Sequence, residues 1–218
     1  MWILSFDTTT NFCQICLAQD QKLIKRFSSE MTFGQSEILI PQIKEILDEN
    51  HLMMPDISLI NVCTGPGSFT GVRSSIAVSR AFKLANPSLT LCGVNAFDSY
   101  AFDLSYKQIS DLNAVIIETK REDFYVAYYD ENLKKISKPK TAYKDEIIED
   151  LKHRKVTLTG DGVERFLSLN TGLQIHDVLF APCPDIFKIS LLGFERYQQK
   201  RTDFPKPLYL KAADICVK

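Results

Sequence analysis

The stretch Ile57-Ser-Leu-Ile-Asn-Val-Cys-Thr-Gly-Pro-Gly-Ser-Phe-Thr-Gly-Val-Arg73 decides the fold. Its first seven residues are mostly apolar, which predicts a strand over 57–63. Two glycines flank Pro66, so the chain can take φ > 0 on both sides of a fixed corner. A helix is predicted beyond it, to about Ala85, with Ser68 or Thr70 as its cap. Free N–H groups at that helix start could take an anion. No Gly-Lys-Ser/Thr follows, so this is not a Walker loop. Gly71, Ser74, Ser75, Ala77, Val78, Ser79 and Ala81 are small enough to let another helix approach closely. Phe69 and Arg73 are the kind of side chains that anchor protein contacts. On these residues alone, packing or partner binding leads anion binding.

Working outward, 89–94 predicts a strand and 96–106 a helix, which completes a parallel βαβ pattern. Upstream, 2–6, 12–18 and 22–28 read as an antiparallel meander. Thr32-Phe-Gly-Gln35 is a capping-box candidate, followed by a helix to about Asn50 with Pro41 as its weak point. Leu39, Ile43, Ile46 and Leu47 form one apolar stripe, and Ile38 and Ile40 a second flank, so this helix needs more than one burial partner. The theme then repeats. Ala114–Glu118 and Phe124–Tyr129 read as strands, 143–152 as a helix and 156–159 as a strand. Gly160-Asp-Gly162 leads into another helix, and Ile186–Lys200 is the last. The polar junction Tyr106–Asp111 divides the chain into expected lobes 1–106 and 107–218, the second shorter. The fold class is α/β with mixed sheets.

A chain of 218 residues suits one or two units. With 26 Lys+Arg against 27 Asp+Glu the net charge is −1, which excludes a nucleic-acid binder acting by bulk charge. It leaves room for a local patch. Lys134, Lys135, Lys138 and Lys140 surround Pro139, and a solvated loop is the preferred account over an RNA-facing one. The start, Met1-Trp-Ile-Leu-Ser-Phe-Asp7, has no basic leader, and no apolar run is long enough to span a membrane. The six cysteines, at 13, 16, 63, 92, 183 and 216, are scattered. A cytoplasmic protein with reduced thiols is expected.

His51, His153 and His176 have no partner three or four residues away, which excludes a helical His-x-x-x-His metal site. Cys13-Gln-Ile-Cys16 falls in a strand and has no second pair, so two unremarkable thiols are expected there rather than zinc. Asp7-Thr8-Thr9-Thr10 closes the first strand. A carboxylate beside hydroxyls could hold a hydrated Mg²⁺ and meet phosphate, but a turn satisfied by its own side chains is the plainer account. No Gly-x-Ser-x-Gly elbow supports a nucleophile.

Three of these segments resemble the TsaB family of bacterial proteins in the threonylcarbamoyladenosine pathway of tRNA modification. They are Ile3-Leu-Ser-Phe-Asp-Thr-Thr9, Gln35-Ser-Glu-Ile-Leu-Ile-Pro41 and Thr64-Gly-Pro-Gly-Ser-Phe-Thr-Gly-Val-Arg73, with the nine positions Gly65 to Arg73 the most specific. Phe124-Tyr125-Val-Ala127, Gly160-Asp161-Gly162 and Pro207-Leu-Tyr209-Leu-Lys211 are weaker echoes. The resemblance implies an actin-like ATPase architecture of the sugar-kinase and Hsp70 type, with two related lobes. It implies a non-catalytic scaffold that binds the catalytic paralogue TsaD, joined by the ATPase TsaE. Together they place a threonylcarbamoyl group on adenosine 37 of tRNAs reading ANN codons. It also implies a homodimer when alone, no cofactor of its own, and only indirect contact with tRNA. The contact surface would lie on the first two helices, about 33–50 and 69–84. Leu39, Ile43, Ile46, Phe69, Val72, Arg73 and Ile76 are its candidate residues.

The sequence departs from the pattern at several points. The His-x-x-x-His pair of the catalytic paralogue is missing. Glu118-Thr119-Lys120 stands where the family has Asp-Ala-Arg, and Gln35 where histidine is common. Asp7, Thr8, Thr9, Gly160 and Asp161 would be a vestigial nucleotide or phosphate site. The competing function is an actin-like small-molecule kinase or ATPase using Asp7. A peptidase, a label once attached to the wider family, would need a metal or nucleophile that the motifs do not supply.

Overall fold

The structure is a computed structural model in which residues 1–104 and 110–210 are described. Ten strands and six α-helices are named among them. The first five strands are β1 (Trp2–Asp7), β2 (Phe12–Gln19), β3 (Lys22–Glu30), β4 (Ile57–Cys63) and β5 (Thr90–Val94). They form one sheet in the order β3-β2-β1-β4-β5. The meander is antiparallel, while β4 and β5 run parallel to β1. The next five are β6 (Leu112–Glu118), β7 (Phe124–Tyr129), β8 (Lys140–Ala142), β9 (Val156–Gly160) and β10 (Ile175–Phe180). They form a second sheet, β8-β7-β6-β9-β10, with the same sequence of antiparallel and parallel pairings. The repeat expected from the sequence is thus a repeat of topology.

Two strands lie outside the sequence reading. β8 has only three residues, inside a Lys- and Pro-rich run. β10 is an edge strand whose His176 and Asp177 hide its period. Both are marginal patterns whose pairing comes from the neighbouring strand.

Contacts divide the chain into one unit of Met1–Ser99 with Cys183–Pro207 and another built on Tyr100–Pro182. This differs from a cut at 106/107. The reason is the last helix, α6 (Ile186–Gln198), which packs on β1, β2, β4 and β5. In the first unit, strand alternation gives each sheet face its own cover. Leu4, Phe6, Ile15, Leu17, Ile60 and Val62 share a core with α1 (Gln35–Glu49) and α2 (Phe69–Ala85). Ser5 and Asn61 belong to the opposite set of positions, and the Asn61 side-chain amide reaches Ser5 Oγ (3.2 Å) and the Ser190 carbonyl of α6 (3.4 Å). Gly193 lets α6 sit there, because a methyl group at that position would overlap the Asn61 amide. Asp185 caps α6 through the Phe187 and Lys188 N–H groups, and Arg26 pairs with the same carboxylate at 3.0 Å.

α1 carries Pro41 in its interior without ending there. Its cap is not the Thr32 expected from the sequence. Gly34 holds the cap position at φ 91°, with no side-chain bond, and the Gln35 amide turns back to the Met31 carbonyl at 2.9 Å. α3 spans Ala96–Leu104, and the remaining residues of the expected 96–106 helix lie outside the described residues. In the second unit, α4 (Lys144–Leu151) and α5 (Val163–Ser168) cover one sheet face, with Ile147, Leu151, Val163 and Phe166 among the buried residues. Phe124 and Phe166 meet edge to face at 5.7 Å. Among the described residues no helix is long and apolar enough to cross a membrane.

Candidate functional site

β1 ends at Asp7, and the next two residues turn back under the loop that follows β4. Asp7, Thr8 and Thr9 are all buried. One Asp7 carboxylate oxygen accepts the Thr9 N–H at 2.8 Å, and the other has no partner. Burial pushes its pKa from 3.8 to about 6, against the pull of the Thr9 and Thr8 N–H groups, the Thr9 hydroxyl and the Cys63 thiol. Cys63, on β4, is itself raised by burial and by the Asp7 charge. Cys13, on β2, is raised to about 12 for the same two reasons. No cation is among the groups that shift Asp7.

What covers Asp7 is the glycine-rich corner itself. The Ser68 N–H donates to the Thr9 carbonyl at 2.7 Å. The Thr8 hydroxyl donates to the Gly71 carbonyl at 2.8 Å and lies 2.7 Å from Ser75 Oγ. Gly65 takes φ 87°, as expected. Gly67 does not have positive φ; its role is contact. A methyl group at Gly67 or Gly71 would overlap the carbonyl oxygens of Thr9 and Thr8. Ser68, of the two capping candidates, is the cap, accepting the Gly71 N–H at 3.3 Å. The loop that could cradle a phosphate therefore cradles the chain's own backbone.

The second unit repeats the arrangement with altered chemistry. Gly160, at φ 112°, and Gly162 press on Ile116 and Ile117 at the end of β6. Asp161 accepts the Glu118 N–H at 3.0 Å, and burial, with the Glu118 charge adding, raises its pKa to about 7. Glu118, which ends β6 as Asp7 ends β1, is held by the Arg165 guanidinium through two bonds of 2.6 and 2.8 Å. Arg165 also donates to the Asp123 carbonyl and stacks on Phe124, 3.8 Å from the ring centre. Sequence reasoning missed Arg165; its signal was a basic residue at the third position of the helix after the glycine turn.

The helical candidates split. Leu39, Ile43, Ile46, Val72 and Ile76 are core residues of the first unit, at most 3% exposed, and do not form its surface. They form the inner stripe of each helix, which pattern alone does not distinguish from an outer one when both are apolar. Phe69, 44% exposed, and Arg73 remain at the surface, with the guanidinium 3.6 Å over the ring. Ile40, read from the sequence as part of a second apolar flank, does face outward; Leu84 and Phe33, just before α1, are exposed residues outside that reading. Ser36 of α1 donates to Ser74 of α2 at 2.8 Å, so the two helices present one joint face.

The remaining candidates are ordinary. Cys13 and Cys16 are buried, unpaired thiols, and no cluster of three or more potential metal ligands occurs among the described residues. Lys134, Lys135 and Lys138 lie between β7 and β8, and Lys140, the first residue of β8, pairs with Asp150 at 2.7 Å.

The family described as TsaD, tRNA N6-adenosine threonylcarbamoyltransferase, matches residues 34–181. Over 224 residues the chain is 26% identical to a "tRNA threonylcarbamoyladenosine biosynthesis protein TsaB" of Escherichia coli (strain K12), covering 97% of this chain and 95% of that protein. It is 37% identical over 82 residues to a protein of the same name from Buchnera aphidicola subsp. Baizongia pistaciae (strain Bp), a match to 38% of this chain and 37% of that protein. Among solved structures, a Pseudomonas aeruginosa protein described as similar to peptidase YEAZ superposes with a TM-score of 0.80 at 19% identity, covering 96% and 99% of the two chains. The activator of the 2-hydroxyisocaproyl-CoA dehydratase from Clostridium difficile, solved with ADPNP, gives 0.51 at 9% identity, over 93% and 98%. The fold is α/β with the actin-like architecture.

Proposed function

The chain belongs to the TsaD family, the tRNA N6-adenosine threonylcarbamoyltransferases, and we propose that within it this is a partner that performs no transfer itself. It binds a TsaD-type catalytic subunit, with a TsaE-type ATPase, for threonylcarbamoylation of adenosine 37 in tRNAs reading ANN codons. It self-associates through the same surface when alone, works in the cytoplasm without a cofactor of its own, and meets tRNA through its partner. The name shared by its relatives, a tRNA threonylcarbamoyladenosine biosynthesis protein, supports the pathway.

The observation that carries the partner role is the outer face of α1 and α2. Ile40, Phe69, Arg73 and Leu84 are exposed there, beside the small residues Thr70, Ala77 and Ala81. A face with small residues along a helix and a stacked Phe–Arg pair lets a second helix approach closely and be anchored at one end. The small-molecule kinase reading is disfavoured by Asp7, whose carboxylate is enclosed under the glycine loop. The test is co-elution with the TsaD-type subunit. Ala77→Glu, on the outer face, abolishes it while leaving the melting temperature unchanged. A complex that forms as well with Ala77→Glu as without it would remove α2 from the interface.

A further inference from the structure

We propose that the Asp7-Thr8-Thr9 turn is a clasp, with Thr8 as the positioning residue that sets the first turn of α2 and through it the exposed Phe69–Arg73 pair. This rests on the partner reading above. The Thr8 hydroxyl has one hydrogen to give. It is given to the Gly71 carbonyl, so the 2.7 Å contact with Ser75 has Ser75 as donor. Thr8 thus ties together two successive turns of α2, at positions 71 and 75. Thr9 holds the residue before the helix through its carbonyl and the Ser68 N–H. Asp7 fixes the turn in its place by accepting the Thr9 N–H. The tie has no slack, because Gly71 and Gly67 are already in backbone contact with Thr8 and Thr9.

Phe69 and Arg73 stand on the other side of those same turns, stacked on one another. Any tilt of the helix start moves both. A shift of about 1 Å suffices to spoil a packed interface, since packed surfaces match like protein interiors. The Asp7-Thr8-Thr9 turn is closed by the chain's own glycine loop. Its residues act on the partner face in place of a ligand.

The experiment compares Thr8→Val, Thr8→Ser and Leu158→Ala in the full chain. Valine keeps the shape of threonine without the hydroxyl, serine keeps the hydroxyl, and Leu158 is a core residue of the second unit. Amide exchange at Phe69–Arg73 and calorimetric affinity for the TsaD-type subunit are measured, with melting temperature for each. Thr8→Val speeds exchange in the first turn of α2 and weakens the partner, each by about tenfold, the effect of losing one buried hydrogen bond. Thr8→Ser restores both. Leu158→Ala lowers the melting temperature but changes neither. Ser75→Ala, which removes one bond of the clasp, gives a smaller loss of the same kind and serves if Thr8→Val does not fold. Wild-type affinity and exchange in Thr8→Val, or an equal loss in Leu158→Ala, overturns the clasp. If the wild-type chain does not bind the subunit, the partner reading itself has failed, and exchange at Phe69–Arg73 alone decides the clasp.

Discussion

Replacing Asp7 by asparagine makes the protein more stable at neutral pH and not at acidic pH. The carboxyl is fully buried, one oxygen accepts the Thr9 N–H at 2.8 Å, the other has no hydrogen-bond partner, and no cation shifts it. Burial therefore disfavours the ionised form and moves the pKa from 3.8 to about 6. The folded chain holds this proton more tightly than the unfolded chain. As pH rises from about 4 to about 6, the unfolded state gives up its proton first, and stability falls. At about 1.4 kcal/mol per pKa unit, the loss above pH 6 is about 3 kcal/mol. Asparagine keeps the acceptor for the Thr9 N–H and cannot ionise. Its amide nitrogen lacks a partner, which costs about 1–2 kcal/mol at every pH. The net expectation is a gain of about 1–2 kcal/mol at pH 7.5 and a loss of similar size near pH 4. Urea unfolding at pH 4.5, 6 and 7.5 reads the difference between the two proteins. Taking the difference cancels Asp161, which is raised to about 7 and slopes the same way. An asparagine variant that loses stability relative to wild type as pH rises would show that the ionised carboxylate is favoured in the folded state, and the closed site would be refuted.

Other outcomes follow from the same geometry. Val72→Asp or Ile76→Asp puts an unpaired charge in the core of the first unit and costs about 3–5 kcal/mol; urea titration shows unfolding rather than mere loss of the partner. Gly71→Ala forces a methyl group onto the Thr8 carbonyl, and circular dichroism on heating shows a melting temperature lower by several degrees, about 2–4 °C for each kcal/mol lost. Arg165→Ala removes the paired bonds to Glu118 and the stack on Phe124, and chemical unfolding reports a loss of about 1–3 kcal/mol.

Much of this architecture could be read from the sequence because its signals are local. The β4–α2 corner has a strand, a turn and a capped helix written in consecutive residues, and the meander has clear alternation. β8 and β10 escaped because short edge strands borrow their order from neighbours. The return of α6 to the first unit could not be read, since nothing local in Ile186–Gln198 states which sheet it will cover. At the site, Asp7, Thr8 and Thr9 were legible as a group and Gly67 and Gly71 as a motif. That the two fill one another was not, because it depends on contacts some sixty residues apart. The interface candidates Leu39, Ile43, Ile46, Val72 and Ile76 lie on the buried stripes of α1 and α2, while Ile40, Phe69 and Leu84 are exposed. Leu39 and Ile40 are neighbours in sequence, and only packing tells which is covered.

The most direct test of the central claim is reconstituted modification of tRNA. The threonylcarbamoyl adenylate, tRNA, the TsaD-type subunit and the TsaE-type ATPase are combined with and without this chain, and modified adenosine is measured by mass spectrometry. No product is expected from this chain alone, product when it is added to the others, and little product when it is omitted or replaced by Ala77→Glu. Full modification in its absence would contradict the account.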